Sequence, residues 1–292
     1  MKILLIVGLT LILGYWLLLL MVPKKTLLHE LIHLPLFWLN HVKSGRKIKY
    51  SKHAYGSHRK QYLLDCRPTI INSNNELSIV YIHGGGWRFG KPEHFLSNAR
   101  FLNELGFRVF MLSHRKAPRY KYPAQREDMN LAIKAVSDLI EGEPKIILGG
   151  MSSGANLIAH LLYDRQQLEA IGLSTAIFKA AFFCGGPLNI AVMKPSRVLL
   201  DFSDNPKTET FQKANPFNYI QAKENIPVLF IQGTHDGMVP YRASRTFYDQ
   251  LKLVNANTDF FTIDNGTHLD ACSWPFRADI VSEKLVAFLS EG

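Results

Sequence analysis

The chain has 292 residues, 47% of them apolar and 20% charged, and a formal net charge of +10. That length suits one large domain or two small ones, and the composition excludes a disordered or low-complexity chain. The charge argues for less than it suggests: residues 1–67 hold eleven Lys/Arg against Glu30 and Asp65, so the remainder is nearly neutral and no nucleic-acid partner is expected.

From Ile3 to Pro23 the chain carries no charge, and Lys24-Lys25 ends the run. About 20 apolar residues make a helix of roughly 30 Å, the hydrocarbon thickness of a bilayer. A cleaved signal peptide, the rival reading, has a shorter apolar region of about 7–15 residues and a small-x-small site; here bulky leucines occupy the candidate positions. The expectation is therefore an uncleaved single-pass anchor over residues 1–25, with membrane lipid as a partner. Residues 26–54 would be an amphipathic, basic juxtamembrane connector. Its charge either attends anionic headgroups or is a solvated linker, and the two readings stand level. The positive-inside tendency hints at a cytoplasmic domain, a short signal anchor at the opposite side, so the side of the membrane stays open.

That connector contains His29-Glu30-Leu31-Ile32-His33, the H-E-x-x-H pattern of zinc hydrolases. A catalytic zinc needs a third protein ligand, and the extended motif would need Gly and His where Leu36 and Leu39 stand. Pro35 would also break or kink the helix at once. The stretch reads better as an interfacial helix presenting Leu27, Leu28, Leu31, Ile32, Leu34, Phe37, Trp38 and Leu39, and no metal or other cofactor is expected. Cys66, Cys184 and Cys272 are scattered, which excludes a disulfide framework.

From about residue 60, β-branched apolar runs alternate with helical patterns, as in a mostly parallel sheet flanked by helices. LSIVYIHGGG (77–86) reads as a buried strand ending in glycines, and PEHFLSNARFLNELG (92–106) as a helix stopped by Gly106. FRVFMLS and AQREDMNLAIKAVSDLI are the next strand and helix. KIILGGMSSGANLIAHLL then carries strand, turn and helix together, and with them Gly150-Met151-Ser152-Ser153-Gly154. A G-x-S-x-G between strand and helix puts the serine on a strained turn where its hydroxyl projects from the sheet edge. The flanking glycines are needed because side chains there would collide. The glycines of His83-Gly84-Gly85-Gly86-Trp87 let backbone N–H groups face a ligand, suiting an oxyanion hole completed by the amide of Ser153.

A serine hydroxyl needs a base, and the base an acid to hold its tautomer. With an elbow serine these follow in the order Ser, acid, His. IPVLFIQGTHDGMVP (226–240) is a strand and loop carrying Asp236, and TDFFTIDNGTHLDA (258–271) a strand and loop carrying His268. Asp236 is preferred over Asp264 and Asp270 because it lies in the loop directly after its own strand. His114 comes too early in the chain, and His160 lies within the serine's helix.

With these residues assembled, the sequence resembles the α/β-hydrolase superfamily over about residues 55–290. It looks most like the HGGG-loop esterases of the hormone-sensitive-lipase-like, arylacetamide-deacetylase-like and kynurenine-formamidase-like groups. SHRKAPRYKYPAQREDMNLAI (113–133) is similar to a further stretch of that family. The resemblance implies an α/β-hydrolase fold over residues 55–292, with Ser152 as nucleophile, Asp236 as acid and His268 as base. Its oxyanion donors fall on Gly85, Gly86 and Ser153, with Gly84 as a further candidate. Met151 and Ser153 depart from the lipase-like pattern, which usually has Asp before the serine and Ala after it.

Residues 185–225 separate two core strands by more than an ordinary connection and are expected to form a cap. Met193, Phe202, Phe211, Phe217 and Tyr219 either line the pocket or pack the cap onto the body. The function expected is ester hydrolysis through an acyl-serine on a small-molecule ester, a lipophilic one if the anchor delivers it. An amidase, formamidase or peptidase on the same residues is the alternative within the class. Outside it, the alternative is an inactive membrane-anchored binding protein. The sequon Asn265-Gly266-Thr267 abuts His268, where a glycan would crowd the site.

Overall fold

Residues 2–70, 72–221 and 225–291 are described by a computed structural model. Two helices, α1 (Lys2–Met21) and α2 (Leu27–Ser44), precede a hairpin of β1 (Ser51–Ala54) and β2 (Tyr62–Cys66). Next come β3 (Ser78–Ile82), α3 (Leu96–Glu104), β4 (Arg108–Leu112), α4 (Tyr122–Leu139), β5 (Ile146–Met151) and α5 (Ser153–Tyr163). The chain continues through α6 (Arg165–Glu169), β6 (Phe178–Cys184), α7 (Arg197–Ser203), α8 (Glu209–Lys213) and β7 (Val228–Gly233). It closes with α9 (Tyr241–Lys252), β8 (Thr258–Ile263), α10 (His268–Cys272) and α11 (Ile280–Glu291).

The strands form one sheet in the order β1-β2-β4-β3-β5-β6-β7-β8. β1 and β4 pair antiparallel with β2, and all other neighbours are parallel. The apolar runs predicted as buried strands alternate between two faces, as the pleat requires. Val80, Ile82, Leu148, Phe183 and Phe230 enter one core with residues of α4, α5 and α9. Ile79, Tyr81, Ile147, Phe182 and Ile231 enter the other with residues of α2, α3 and α11. Having both faces covered explains why the strands read as continuous apolar runs rather than as alternating patterns.

After β3 the chain turns toward β4 on one side, whereas β5 lies on β3's other side. The order reverses there, and such a switch opens a crevice beyond the carboxyl ends of the strands. Ile82 is level with Gly150, Met151 with Cys184, Cys184 with Ile231, and Gly233 with Ile263, so the loops after five strands meet along one edge.

Three expectations need correction at the amino end. Among the described residues no helix is long and apolar enough to cross a membrane. The single-pass anchor over residues 1–25, the membrane location and the membrane-lipid partner are therefore withdrawn. α1 instead leans on α2, with the Tyr15 hydroxyl donating to the Ile32 carbonyl at 2.6 Å.

Second, Pro35 does not end α2, which continues to Ser44. Packing overrides the proline: Phe37 meets Phe276, Trp38 meets Phe95, and the His41 imidazole bonds the Ser97 hydroxyl. Third, α2 is not only a surface helix: one side of it, with both polar and apolar residues, packs against the body. Leu27, Leu28, Leu31 and Leu39 are exposed, whereas His29, Glu30, Phe37 and His41 are buried. Burial drives the His41 pKa down to about 3, so the ring sits neutral in this contact.

Candidate active site

The strand, elbow and helix around Ser152 follow from glycine placement. A methyl at Gly154 would collide with the carbonyls of Ile82 and His83, and one at Gly150 would lie 2.8 Å from the Ala155 backbone. Without side chains there, α5 closes onto the ends of β5 and β3. Ser152 takes the strain, at φ 51° and ψ −127°, a left-handed conformation that costs a non-glycine residue roughly 1–3 kcal/mol. Its amide donates to the Cys184 carbonyl at 2.7 Å, which ties the elbow to β6. Ser153 opens α5, so its amide has no carbonyl one turn behind it.

The glycine loop lies directly above. A Cβ on Gly84 would be 3.0 Å from Ser152 Cβ, and Gly85 and Gly86 have φ of +132° and +58°. The Gly85 carbonyl is turned inward, accepting from Arg88 N at 3.1 Å and Phe89 N at 2.9 Å. Among the described residues, the amides of Gly84, Gly85, Gly86 and Ser153 donate to no backbone carbonyl. His83 Nδ1 donates to the Gly84 carbonyl at 2.6 Å, and its Nε2 faces Lys116 Nζ at 3.4 Å. Lys116 Nζ also donates to His114 Nε2 at 2.9 Å. Burial first, then the neighbouring Lys116, holds both imidazoles well below their ordinary pKa. Burial also holds Lys116 well below its own. The three groups are thus each biased towards the neutral form by burial.

The other two candidates meet. His268 Nδ1 donates to Asp236 Oδ2 at 2.7 Å. Asp236 Oδ2 also accepts from Gln232 Nε2 at 2.7 Å, and Oδ1 from the amides of Met238 at 2.8 Å and Val239 at 2.6 Å. Burial pushes the His268 pKa down, but the charge and hydrogen bond of Asp236, then the charge of Glu30, outweigh it and raise the value above 6.5. A Cβ on Gly185 would be 3.0 Å from His268 Cε1. Gly185 follows Cys184, whose carbonyl holds the Ser152 amide. The imidazole therefore lies one residue from the serine's own anchor. Ser152 Oγ makes no hydrogen bond among the described residues; such contacts often tighten only when substrate is bound.

Gln232 bonds Asp236, Glu30 bonds the His268 amide, and Lys116 lies behind His83. In the sequence neither Gln232 nor Lys116 stands out, and Glu30 does so only within the H-E-x-x-H pattern. Gln232 sits inside a buried strand, its Oε1 taking a bond from Ser244 Oγ at 2.8 Å. It carried no motif, although a glutamine in an otherwise apolar strand was a signal. His29 and His33 do not converge on a ligand with Glu30. His29 Nδ1 bonds the Val22 carbonyl at 3.1 Å, and His33 Nδ1 bonds the His29 carbonyl at 2.8 Å.

Between β6 and β7, residues 222–224 of the expected cap lie outside the described residues. The described part holds α7, α8 and two short 3₁₀ turns. Phe202 is fully buried and stacks on Trp87 at 4.1 Å, Phe217 meets Phe247, Tyr219 meets His160, and Phe211 is buried. Most of these aromatics pack this insertion onto the body. Val198 comes closest to the glycine loop, since a Cβ on Gly86 would be 2.8 Å from it.

A mostly parallel eight-stranded sheet with an elbow serine and a glycine loop at its switch point is the frame of an esterase-type α/β hydrolase. The BD-FAE family model matches residues 68–251, and the chain belongs to that family. Esterase LipQ of Mycobacterium tuberculosis is 26% identical over 258 residues, covering 80% of this chain and 60% of that protein. A protein of Oryza sativa subsp. japonica named as a probable isoprenylcysteine alpha-carbonyl methylesterase is 27% identical, covering 66% of this chain and 50% of its own length. The chain thus spans only half to three-fifths of these two relatives. A truncated carbohydrate esterase from gut microbiota shares the fold with a TM-score of 0.72 at 19% identity, over 84% of this chain and 97% of that one.

Proposed function

We propose that the chain hydrolyses small carboxylic esters through an acyl-Ser152 intermediate. The observation that carries this reading is the strained serine at the switch point, beside a buried His268–Asp236 pair joined at 2.7 Å. Ser152 Oγ attacks the ester carbonyl as His268 Nε2 takes its proton. Asp236 holds the ring in the tautomer that leaves Nε2 free and stabilises the imidazolium. The tetrahedral oxyanion is received by the amides of Gly85, Gly86 and Ser153, with Gly84 alongside. Each such donor contributes about 2.7–4 kcal/mol to transition-state stabilisation. His268 then returns the proton to the leaving alcohol, and water repeats the sequence to free the acid.

The insertion between β6 and β7 acts as the cap. Val198 beside Gly86 narrows the space over the glycine loop, which favours small ester groups. Hydrolysis of p-nitrophenyl esters of rising acyl length by the full chain, beside Ser152→Ala, tests the reading. We expect Ser152→Ala to lose at least about 10⁴-fold in kcat. We also expect a serine-directed phosphonate to label the wild type stoichiometrically and the variant not at all. Equal turnover by the two proteins would sink the proposal.

A further inference from the structure

We infer that Glu30, on a helix outside the segment matched by the family model, is a positioning residue that holds the loops of the acid and the base in register. This rests on the serine-hydrolase reading above. Glu30 is 1% exposed. Its Oε1 accepts from the amide of Gly237, next to Asp236, at 3.0 Å and from the amide of His268 itself at 2.7 Å. Its Oε2 accepts from the amide of Leu269 at 3.4 Å. One side chain thus ties the residue after the acid to the backbone of the base.

Those amides need an external acceptor. His268 and Leu269 are the first residues of α10, whose opening amides have no carbonyl behind them. Thr267 caps the amide of Asp270, and the Asp270 carboxylate caps Thr267 in return. That leaves the two amides on which Glu30 converges. Gly237 lets α2 come this close, since a side chain there would meet the Thr26 carbonyl and Glu30 Cγ. Burying an unpaired carboxylate would be costly, and bonds from backbone amides offset that cost.

The charge bears on chemistry as well as on geometry. The titratable groups around the imidazole are Asp236 after β7, Glu30 on α2, Asp270 and Cys272 on α10, and Cys184 on β6. Burial holds both thiols neutral, Cys184 at about 12. Asp270 is engaged by Arg277 at 2.6 Å. Glu30 is thus the second negative charge, after Asp236, that favours the imidazolium formed when His268 takes the serine proton.

The test compares full-length wild type, Ser152→Ala, Glu30→Ala and Glu30→Gln on one p-nitrophenyl ester, with melting curves for each. Glu30→Ala is expected to lower kcat about 10²-fold with KM little changed, the scale of a reacting group misplaced by about 1 Å. Glu30→Gln keeps an oxygen between Gly237 and His268 but drops the charge. It is expected to recover most of kcat while the acidic limb of kcat/KM moves down by about half a pH unit. A folded Glu30→Ala with wild-type kcat would overturn the inference. So would a Glu30→Gln with wild-type kcat and an unmoved limb, and this arm decides if the alanine variant does not fold. Retained activity in Ser152→Ala would instead remove the serine reading, and this inference with it.

Discussion

At the scale of single residues the site rests on groups whose charge or conformation is paid for by neighbours. His268 is buried, yet its pKa is raised, because Asp236 and then Glu30 outweigh desolvation. In the proposed mechanism His268 must be neutral to accept the Ser152 proton, so kcat/KM should rise with pH through a limb above about 6.5 rather than below it. For stability the sign is opposite. The folded state binds this proton more tightly than the unfolded state, so the contribution is fully present below about 6.5 and is lost as pH rises through the raised value. A pH–rate profile on a neutral ester, with urea melts at matched pH, measures both. A limb below 6 would contradict the ion-pair account. The residues that make this site were unequally legible. Ser152 and the glycines at 84–86 announce themselves because their role is set by adjacent backbone. Glu30 does not, because its partners are 207 to 239 residues away in the chain.

Among the elements, the β5–elbow–α5 unit is the most tightly determined. Gly154 abuts the carbonyls at the end of β3, and no rotamer change can relieve a backbone collision. Gly154→Ala is expected to destabilise the fold by about 1–3 kcal/mol, the cost of overpacking a close contact, and to shift the elbow enough to depress turnover. Urea denaturation with a parallel esterase assay checks both, and an alanine variant of normal stability and rate would mean that α5 can slide without moving Ser152. The insertion between β6 and β7 shows where element-level reading stops. Its aromatics were ambiguous between lining a pocket and packing. Phe202 on Trp87, Tyr219 on His160 and Phe217 on Phe247 favour packing, because the body offers aromatic partners that no local pattern reveals. The helix at residues 92–106 is also shorter than its periodicity suggests: Pro92–Phe95 form a 3₁₀ turn and only Leu96–Glu104 is α.

For the whole molecule, the amino-terminal region divides differently from the way its hydropathy reads. α1 packs on α2, whereas α2 inserts Phe37, His41 and Glu30 into the body. A chain beginning at residue 26 should therefore keep its melting temperature and kcat. One beginning at residue 45 should lose more than the about 3–5 kcal/mol expected for a single large core aromatic, together with the Glu30 contacts. Urea melts and ester assays on the two chains decide it, and equal stability would show α2 to be peripheral. The sequence by itself determined the mostly parallel α/β sheet, the elbow, the glycine loop and the chain order of Ser152, Asp236 and His268. Each of these depends on backbone conformation or periodicity within a few residues. Tertiary structure decided what lies between segments: the His268–Asp236 bond, the lysine under the glycine loop, and the mixed face of α2, with Glu30, Phe37 and His41, turned inward. The pattern His29-Glu30-x-x-His33 marks that limit, for its glutamate is bound by amides whose position only folding sets.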